Sequence, residues 1–293
     1  MTCLLTGSSG FLGSILATEL RQHFDLSTLG RSAESDLICD LAKEVPALPA
    51  GNDWVVHNAG KAHLVPRTKA EADAFWELNY KGTLRLLEAI DNTGHYPRCF
   101  VFMSTIAVYG LDEGYGITED TPLNGNTPYA LSKIAAEQAI QKWGVAHHVP
   151  VLILRLPLIS GPNPPGNLGM MARAMRQGHY IQIAGNTARK SVVSAQGIAL
   201  WLPGALGQSG IYHLTDGTHP TFEHIEQWML NHTKGKVAVR LPSVLLKIAA
   251  RIGDIFPFFP LNTLKYRKLT ASLTFSDEKA RRDLGWDHSP AFP

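Results

Sequence analysis

Tyr129 and Lys133 lie four residues apart in the segment Tyr129-Ala130-Leu131-Ser132-Lys133. On a helix that spacing places both side chains on one face. A phenol has an ordinary pKa near 10, and a nearby ammonium favours the phenolate and lowers that value. Such a tyrosine can exchange a proton with a carbinol or ketone near neutral pH. The spacing alone is common in helices. A second segment, Met103-Ser104-Thr105-Ile106-Ala107-Val108-Tyr109-Gly110, closes a strand-like run upstream. A hydroxyl there can bind the same substrate oxygen. Thr105 is chosen over Ser104 for that task, although a strand-end hydroxyl also serves to satisfy backbone groups.

A glycine-rich turn supplies the second chemical signal. Thr6-Gly7-Ser8-Ser9-Gly10-Phe11-Leu12-Gly13 has the spacing G-x-x-G-x-x-G between the first strand and the first helix. Gly7, Ser9, Gly10, Phe11, Leu12 and Gly13 are the residues expected to hold a pyrophosphate. Their backbone can approach it closely, at a helix N-terminus where amides are unsatisfied and the dipole is positive. Without that context the turn reads as an ordinary strand-to-helix connection.

The second strand ends in Leu29-Gly30-Arg31-Ser32, with no acid for the adenosine ribose. Arg31 suits a 2′-phosphate and Ser32 can add a hydrogen bond, which favours NADP over NAD. Arg31 as a plain solvated charge is the competing reading. Asp40, followed by Leu41, is a candidate for the adenine edge. Asn58-Ala59-Gly60 follows the third strand, where small residues let a cofactor cross the sheet edge.

These groups need elements to position them. Residues 2–6 read as a buried strand and Phe11 to His23 as a helix with apolar residues at helical spacing. Strands follow at Leu26–Leu29 and Asp53–His57, a helix at Leu78–Ile90, a strand at Cys99–Met103, a long helix at Tyr129–Trp143 and a strand at Val151–Leu154. Alternating strands and helices predict an α/β fold whose parallel sheet is covered on both faces. After about residue 160 the pattern becomes mixed. It gives a loop at Gly161–Gly166, a helix around Leu168–Gln177, a short strand near Ile181, and then a helix-strand-helix set. The expected organisation is a dinucleotide-binding domain over 1–160, with a returning segment near 190–216, and a smaller lobe in the remainder of 161–293.

Composition closes off several classes. The chain has 293 residues, 45% apolar and 18% charged, with a net charge of +2. No strong field favours nucleic acid or an anionic membrane. Cys3, Cys39 and Cys99 are odd in number and widely spaced, so they read as reduced thiols of a cytoplasmic protein, and no metal motif is visible. No signal peptide is evident. The apolar stretch Val244–Pro260 is interrupted by Lys247, Arg251 and Asp254. It reads as a buried amphipathic helix, with an interfacial contact as the other reading, and not as an integral membrane segment.

Taken in order, the motifs resemble the extended short-chain dehydrogenase/reductase family. They are Thr6–Gly13, Asn58-Ala59-Gly60, Asn79-Tyr80-Lys81-Gly82-Thr83, Ser104–Gly110, Tyr129–Lys133, Arg155-Leu156-Pro157 with Gly161-Pro162, and Ser276 to Trp286. The resemblance covers nearly the whole chain. It implies a Rossmann doubly wound sheet with a smaller mixed α/β C-terminal lobe for a nucleotide-sugar. It implies Tyr129 as acid/base, Lys133 on the nicotinamide ribose and Thr105 on the reacting oxygen. Asn79 is implied as a helix-positioning residue near the cofactor, Pro157 as the start of the loop passing the nicotinamide, and Arg189 as a contact to the substrate diphosphate. A homodimer through two helices per subunit is implied as well.

Three features depart from the family's usual pattern: Ala195-Gln196, the absence of Lys or Arg in Asn163–Leu168, and Gly60 in place of alanine. Within the family the chain looks most like bacterial surface-polysaccharide enzymes. These are 4-ketoreductases of UDP-4-keto-6-deoxy-N-acetylhexosamines and related 4-epimerases. The helical stretch Pro242–Leu269 and Arg31 lean toward an NADPH-dependent reductase. An epimerase with tightly bound NAD and a non-catalytic dinucleotide sensor remain as alternatives.

Overall fold

The computed structural model describes residues 1–255, 261–287 and 291–292. Its centre is one parallel sheet in the order β3-β2-β1-β4-β5-β7-β11. The strands are β1 (Thr2–Thr6), β2 (Asp25–Gly30), β3 (Leu37–Ile38), β4 (Trp54–His57), β5 (Cys99–Thr105), β7 (Val151–Leu156) and β11 (Gly210–His213). The chain runs outward from β1 to β3, then crosses to β4 on the other side. That reversal opens a crevice at the carboxyl ends of β1 and β4. Thr6 is level with both Leu29 and His57 there.

Alternate strand residues go to opposite faces, and both faces are buried. Leu5, Val56, Val101 and Leu152 meet α1 (Phe11–His23) through Leu16 and Leu20, and α6 (Ala195–Ala205) through Leu202. Leu4, Val55, Phe100 and Ile153 meet α3 (Gly82–Thr93) through Leu86 and α4 (Pro128–His147) through Ile140. The tail rejoins this body: α10 (Glu278–Leu284) and Trp286 put Ala280 and the Trp286 indole into the α1/α6 side of the core. All three cysteines are free and buried. Burial pushes the Cys3 thiol up to about 12.

The helix expected over Leu78–Ile90 starts earlier. It begins as α2 (Lys69–Phe75), capped by the Thr68 hydroxyl, which accepts from the Glu71 amide. It continues through a π-helical turn, Trp76–Lys81, into α3. Outside α2's buried Phe75, the segment has no apolar stripe, so periodicity could not show it. The long catalytic-motif helix α4 starts where its chemistry dictates. Thr127 accepts from the Ala130 amide and Pro128 takes the first turn.

The remaining strands pair in twos. β6 (Gly114–Ile117) joins β13 (Leu273–Phe275), β8 (Leu158–Ser160) joins β10 (Val192–Ser194), and β9 (Tyr180–Ala184) joins β12 (Val237–Pro242). A separate apolar cluster joins α5 (Gly166–Arg176) to α7 (Phe222–Thr233) through Met171, Met175, Ile225 and Met229.

The buried helix expected over Val244–Pro260 is corrected. α8 spans Ser243–Ile255, buries only Leu246, Ala250 and Gly253, and leaves Val244, Leu245, Ile248, Ile252 and Ile255 exposed. Its few packing neighbours cover one side only, so apolar composition overstated its burial. Residues 256–260 of that stretch lie outside the described residues. A further helix, α9 (Thr263–Thr270), follows. No helix among the described residues is long and apolar enough to cross a membrane.

Candidate active site

The glycine turn lies at the crevice between β1 and β4. Gly7 adopts φ +72°, and a Cβ added there would stand 2.7 Å from the Ala59 Cα. On Gly13 an added Cβ would fall 2.0 Å from the Gly7 carbonyl oxygen. The turn, Asn58 and Ala59 therefore pack backbone on backbone. The Asn58 amide donates to the Gly7 carbonyl at 3.2 Å, and the Ala59 N–H donates to the Thr6 hydroxyl at 3.0 Å. Gly10 caps α1 without a side chain, and the first turn of α1 carries no acid. The α1 amides are thus left for an anion, and this cradle fits a dinucleotide pyrophosphate. Ser9 and Gly10 form the exposed lip, Leu12 is buried beneath, and Phe11 packs near Gly161, where an added Cβ would meet its ring at 2.9 Å. The loop after Pro157 therefore passes over the start of α1.

At the end of β2, Arg31 is exposed and has no ion-pair partner among the described residues. The Ser32 hydroxyl accepts from the Glu34 amide at 3.3 Å. Asp40 forms a turn of its own, accepting from the Ala42 amide at 3.1 Å, and its carboxylate lies 3.6 Å from the Lys43 ammonium. Leu41 is buried and its carbonyl accepts from Arg85 at 2.9 Å.

Thr105 stands beside the Tyr129 phenol, close enough for its hydroxyl to favour the phenolate. The Thr105 hydroxyl also accepts from the Ala107 amide at 3.2 Å. Ser104 faces elsewhere: its hydroxyl donates to the buried Glu137 carboxylate. Burial pushes the Tyr129 phenol above its usual range, and Thr105 only partly offsets this. The expectation that Lys133 lowers this phenol is therefore corrected. The Lys133 ammonium donates to the Met103 carbonyl at 2.7 Å and lies 4.4 Å from the Phe102 ring centroid. Burial pulls Lys133 down to about 8, against the opposing charge of Glu137.

Asn79 sits inside the π-helical turn. The turn aims its buried side chain at the loop after β4. Its Oδ1 accepts from the Lys61 N–H at 2.7 Å, and its Nδ2 donates to the Lys61 carbonyl and to the Ser132 hydroxyl, each at 3.0 Å. Gly60 lies directly between these groups. A Cβ there would meet Asn79 Oδ1 at 3.2 Å and Lys133 Nζ at 3.5 Å. The Arg189 guanidinium donates to the His219 carbonyl at 3.0 Å.

Sequence reasoning missed the polar layer below these residues. Arg155 binds the Glu137 carboxylate through Nη2 at 2.7 Å and Nε at 3.2 Å, both side chains being buried. Its Nη1 donates to the Tyr109 hydroxyl at 2.8 Å, which contacts His213 Nε2 at 2.6 Å. Glu137 follows Lys133 by one helical turn, the only local signal for this network. His57 was also missed. It contacts the Thr6 hydroxyl at 2.7 Å and the Thr83 hydroxyl at 2.9 Å.

Burial, with the Lys133 charge adding to it, pushes His57 down to about 3. An unfolded chain takes up this proton near pH 6.5, whereas the folded one does not until near 3. The stability His57 contributes is complete above about pH 6.5 and declines as pH falls toward 3. In urea unfolding at pH 7 and pH 5, the wild type is expected to lose about 2 kcal/mol more than His57→Gln. Equal losses would show that His57 is not held neutral.

A glycine-rich turn at the switch point of a parallel sheet, with a Tyr–Lys helix beside it, defines a dinucleotide-dependent oxidoreductase of the extended short-chain type. Residues 3–192 match the model of the NAD dependent epimerase/dehydratase family. The chain belongs to this family of nucleotide-sugar epimerases, dehydratases and reductases, and it is an NAD(P)-dependent enzyme. It is 30% identical to dTDP-glucose 4,6-dehydratase of Streptomyces niveus, over 95% of this chain and 79% of that one. With other curated relatives that it matches it spans between 36% and 74% of their length, about half for most of them.

Among solved structures, UDP-glucose 4-epimerase of Thermotoga maritima with UDP-glucose superposes at a TM-score of 0.75 and 18% identity. That match covers 98% of this chain and 94% of that one. RMD from Pseudomonas aeruginosa complexed with NADPH gives 0.73 and 22%, over 98% and 94%. These two likenesses bear out the Rossmann-type α/β fold.

Proposed function

We propose that this enzyme reduces the C4 ketone of a UDP-4-keto-6-deoxy sugar with NADPH, in the supply of surface polysaccharide. The observation that carries this reading is Thr105 beside Tyr129 with no carboxylate acting on the phenol among the described residues. Among the described residues, burial and Thr105 alone set the Tyr129 phenol. Ile106 and Ala107 follow Thr105, and the carboxylate below, Glu137, is held by Ser104 and Arg155. Eliminating water from a sugar calls for a further acid and base, so this pair suits carbonyl reduction better than dehydration.

A nicotinamide dinucleotide, when bound, supplies the hydride. Tyr129 hands its phenolic proton to the C4 oxygen, while Thr105 holds that oxygen by a hydrogen bond. Lys133 holds the nicotinamide ribose. Gly7, Ser9, Gly10, Phe11, Leu12 and Gly13 hold the pyrophosphate, with Asn58, Ala59, Gly60 and Pro157 along the cofactor. Asp40 and Leu41 border the adenine, and Asn79 fixes the loop at Lys61. The sugar nucleotide lies between this body and the lobe after residue 160, with Arg189 toward its diphosphate.

The choice of NADPH rests on Arg31 and Ser32. An Arg–phosphate pair contributes roughly 1.5–3 kcal/mol, or about ten- to a hundredfold in preference. The test is nicotinamide absorbance during incubation with UDP-4-keto-6-deoxy-N-acetylhexosamine. Fast loss with NADPH, slow loss with NADH, and collapse of that difference in Arg31→Ala are expected. No loss with either, together with NAD found tightly bound in the purified protein, would move the assignment to a 4-epimerase.

We further propose a homodimer through the outer faces of α3 and α4. These helices pack side by side and leave Leu84 and Leu131 exposed. Light scattering should give twice the chain mass of 32.0 kDa, and Leu84→Glu should halve it. A wild-type mass of one chain would remove the proposal.

A further inference from the structure

α8 has two apolar faces. Leu246, Ala250 and Gly253 are buried, on the side that meets β9 and β12. On the opposite side Leu245, Ile248, Ile252 and Ile255 recur at helical spacing, with Val244 beside them. These five side chains are between 44% and 73% exposed. A helix face turned to water is normally charged or polar. A contiguous aliphatic stripe there marks a contact surface.

The charges around the stripe identify what it contacts. Lys247 and Arg251, one turn apart along its edge, have no ion-pair partner among the described residues. α9 packs against α8 and adds the exposed Leu264, while its Arg267 and Lys268 are taken up by Glu113 at 2.6 Å and Asp112 at 3.4 Å, so among the described residues the free cations at the stripe are Lys247 and Arg251. The one carboxylate on the two helices, Asp254, is occupied by Thr263, whose amide donates to it at 2.9 Å. The surface is therefore aliphatic in its middle and cationic at its rim. Among the described residues the two helices carry one Trp or Tyr, Tyr266, whose hydroxyl donates to the Ser243 carbonyl at 3.3 Å, and the stripe itself has no Trp or Tyr anchor of the kind that concentrates energy at protein–protein contacts. A diffuse layer of negative headgroups over an apolar interior matches it on both counts.

We propose that α8 is a membrane-surface contact, lying in the interface of an anionic bilayer with Leu245, Ile248, Ile252 and Ile255 among the acyl chains and Lys247 and Arg251 at the phosphates. Such a helix lies in the plane of the interface and does not span. The contact is separate from the dinucleotide site.

Flotation of the full chain with vesicles tests this. Vesicles of phosphatidylglycerol and phosphatidylcholine in equal parts should carry the protein upward. Phosphatidylcholine alone should carry far less, by roughly fivefold for each cation engaged. Lys247→Glu/Arg251→Glu should lose the preference for anionic lipid. Ile248→Asn/Ile252→Asn should lose flotation while keeping the wild-type melting temperature and NADPH binding. Three results would overturn the proposal. The first is a wild type that stays at the bottom with anionic vesicles. The second is flotation of both variants like the wild type. The third is a second copy on this face by light scattering, released by Ile248→Asn/Ile252→Asn, with no vesicle binding.

Discussion

Tyr129→Phe is expected to lower turnover by about a thousandfold while leaving dinucleotide affinity within about twofold. The hydroxyl removed is the one that meets Thr105, and a positioned proton donor contributes typically 10²–10⁴ to a rate. Nothing in the glycine turn depends on that oxygen, since Gly7, Gly13 and Ala59 form the cradle by backbone packing. The ring itself keeps its neighbour Phe75, 5.9 Å away between centroids, so the fold is expected to hold. Single-turnover kinetics and NADPH fluorescence titration, run on the same preparation, check both halves. Turnover within tenfold of wild type would remove Tyr129 as the proton donor. Unchanged turnover in a chain that binds dinucleotide would fit a sensor.

Arg155→Met is expected to cost about 3–5 kcal/mol of stability. The cost does not come mainly from the lost attraction. Glu137 is fully buried and its carboxylate takes three contacts from the Arg155 guanidinium. Without that guanidinium it becomes an uncompensated charge in the core, and Tyr109 loses its donor at 2.8 Å. At roughly 2–4 °C per kcal/mol for a large domain, the melting temperature should fall by about 10 °C. Adding Glu137→Gln to Arg155→Met removes the stranded charge and should recover part of the loss, which separates desolvation from packing. Melting by circular dichroism decides, and a single variant that melts like the wild type would show that the pair contributes nothing.

Much of the sheet was legible because its strands are apolar runs bounded by turn chemistry. The helix read over Phe11–His23 has those bounds in the structure, and Tyr129–Trp143 lies within Pro128–His147. The chemistry-bearing residues were legible for a different reason: their spacing is short-range and lies on single elements. What was hidden depends on partners far apart in the chain. Spacing shows that Lys133 follows Tyr129 by one turn. It cannot show that the ammonium will turn to the Met103 carbonyl and leave burial to govern the phenol. Glu137 reads as an ordinary helical acid until β7 brings Arg155 beneath it. The π-helical turn at Trp76–Lys81 has no signal in apolar periodicity, and α8 is apolar whether or not something covers it.

The return of the tail to the main body bears on how the protein is made. Ala280 and Trp286 fill the same side of the core as Leu16 and Leu202, and the Trp286 indole donates to the Thr215 carbonyl at 2.9 Å. During synthesis, the dinucleotide-binding half emerges long before these residues do. Its α1/α6 face therefore stays incomplete on the ribosome until Ala280 and Trp286 have been translated. Closing contacts between residues so distant in sequence is entropically slow. An open apolar face during that interval is a natural binding site for chaperones.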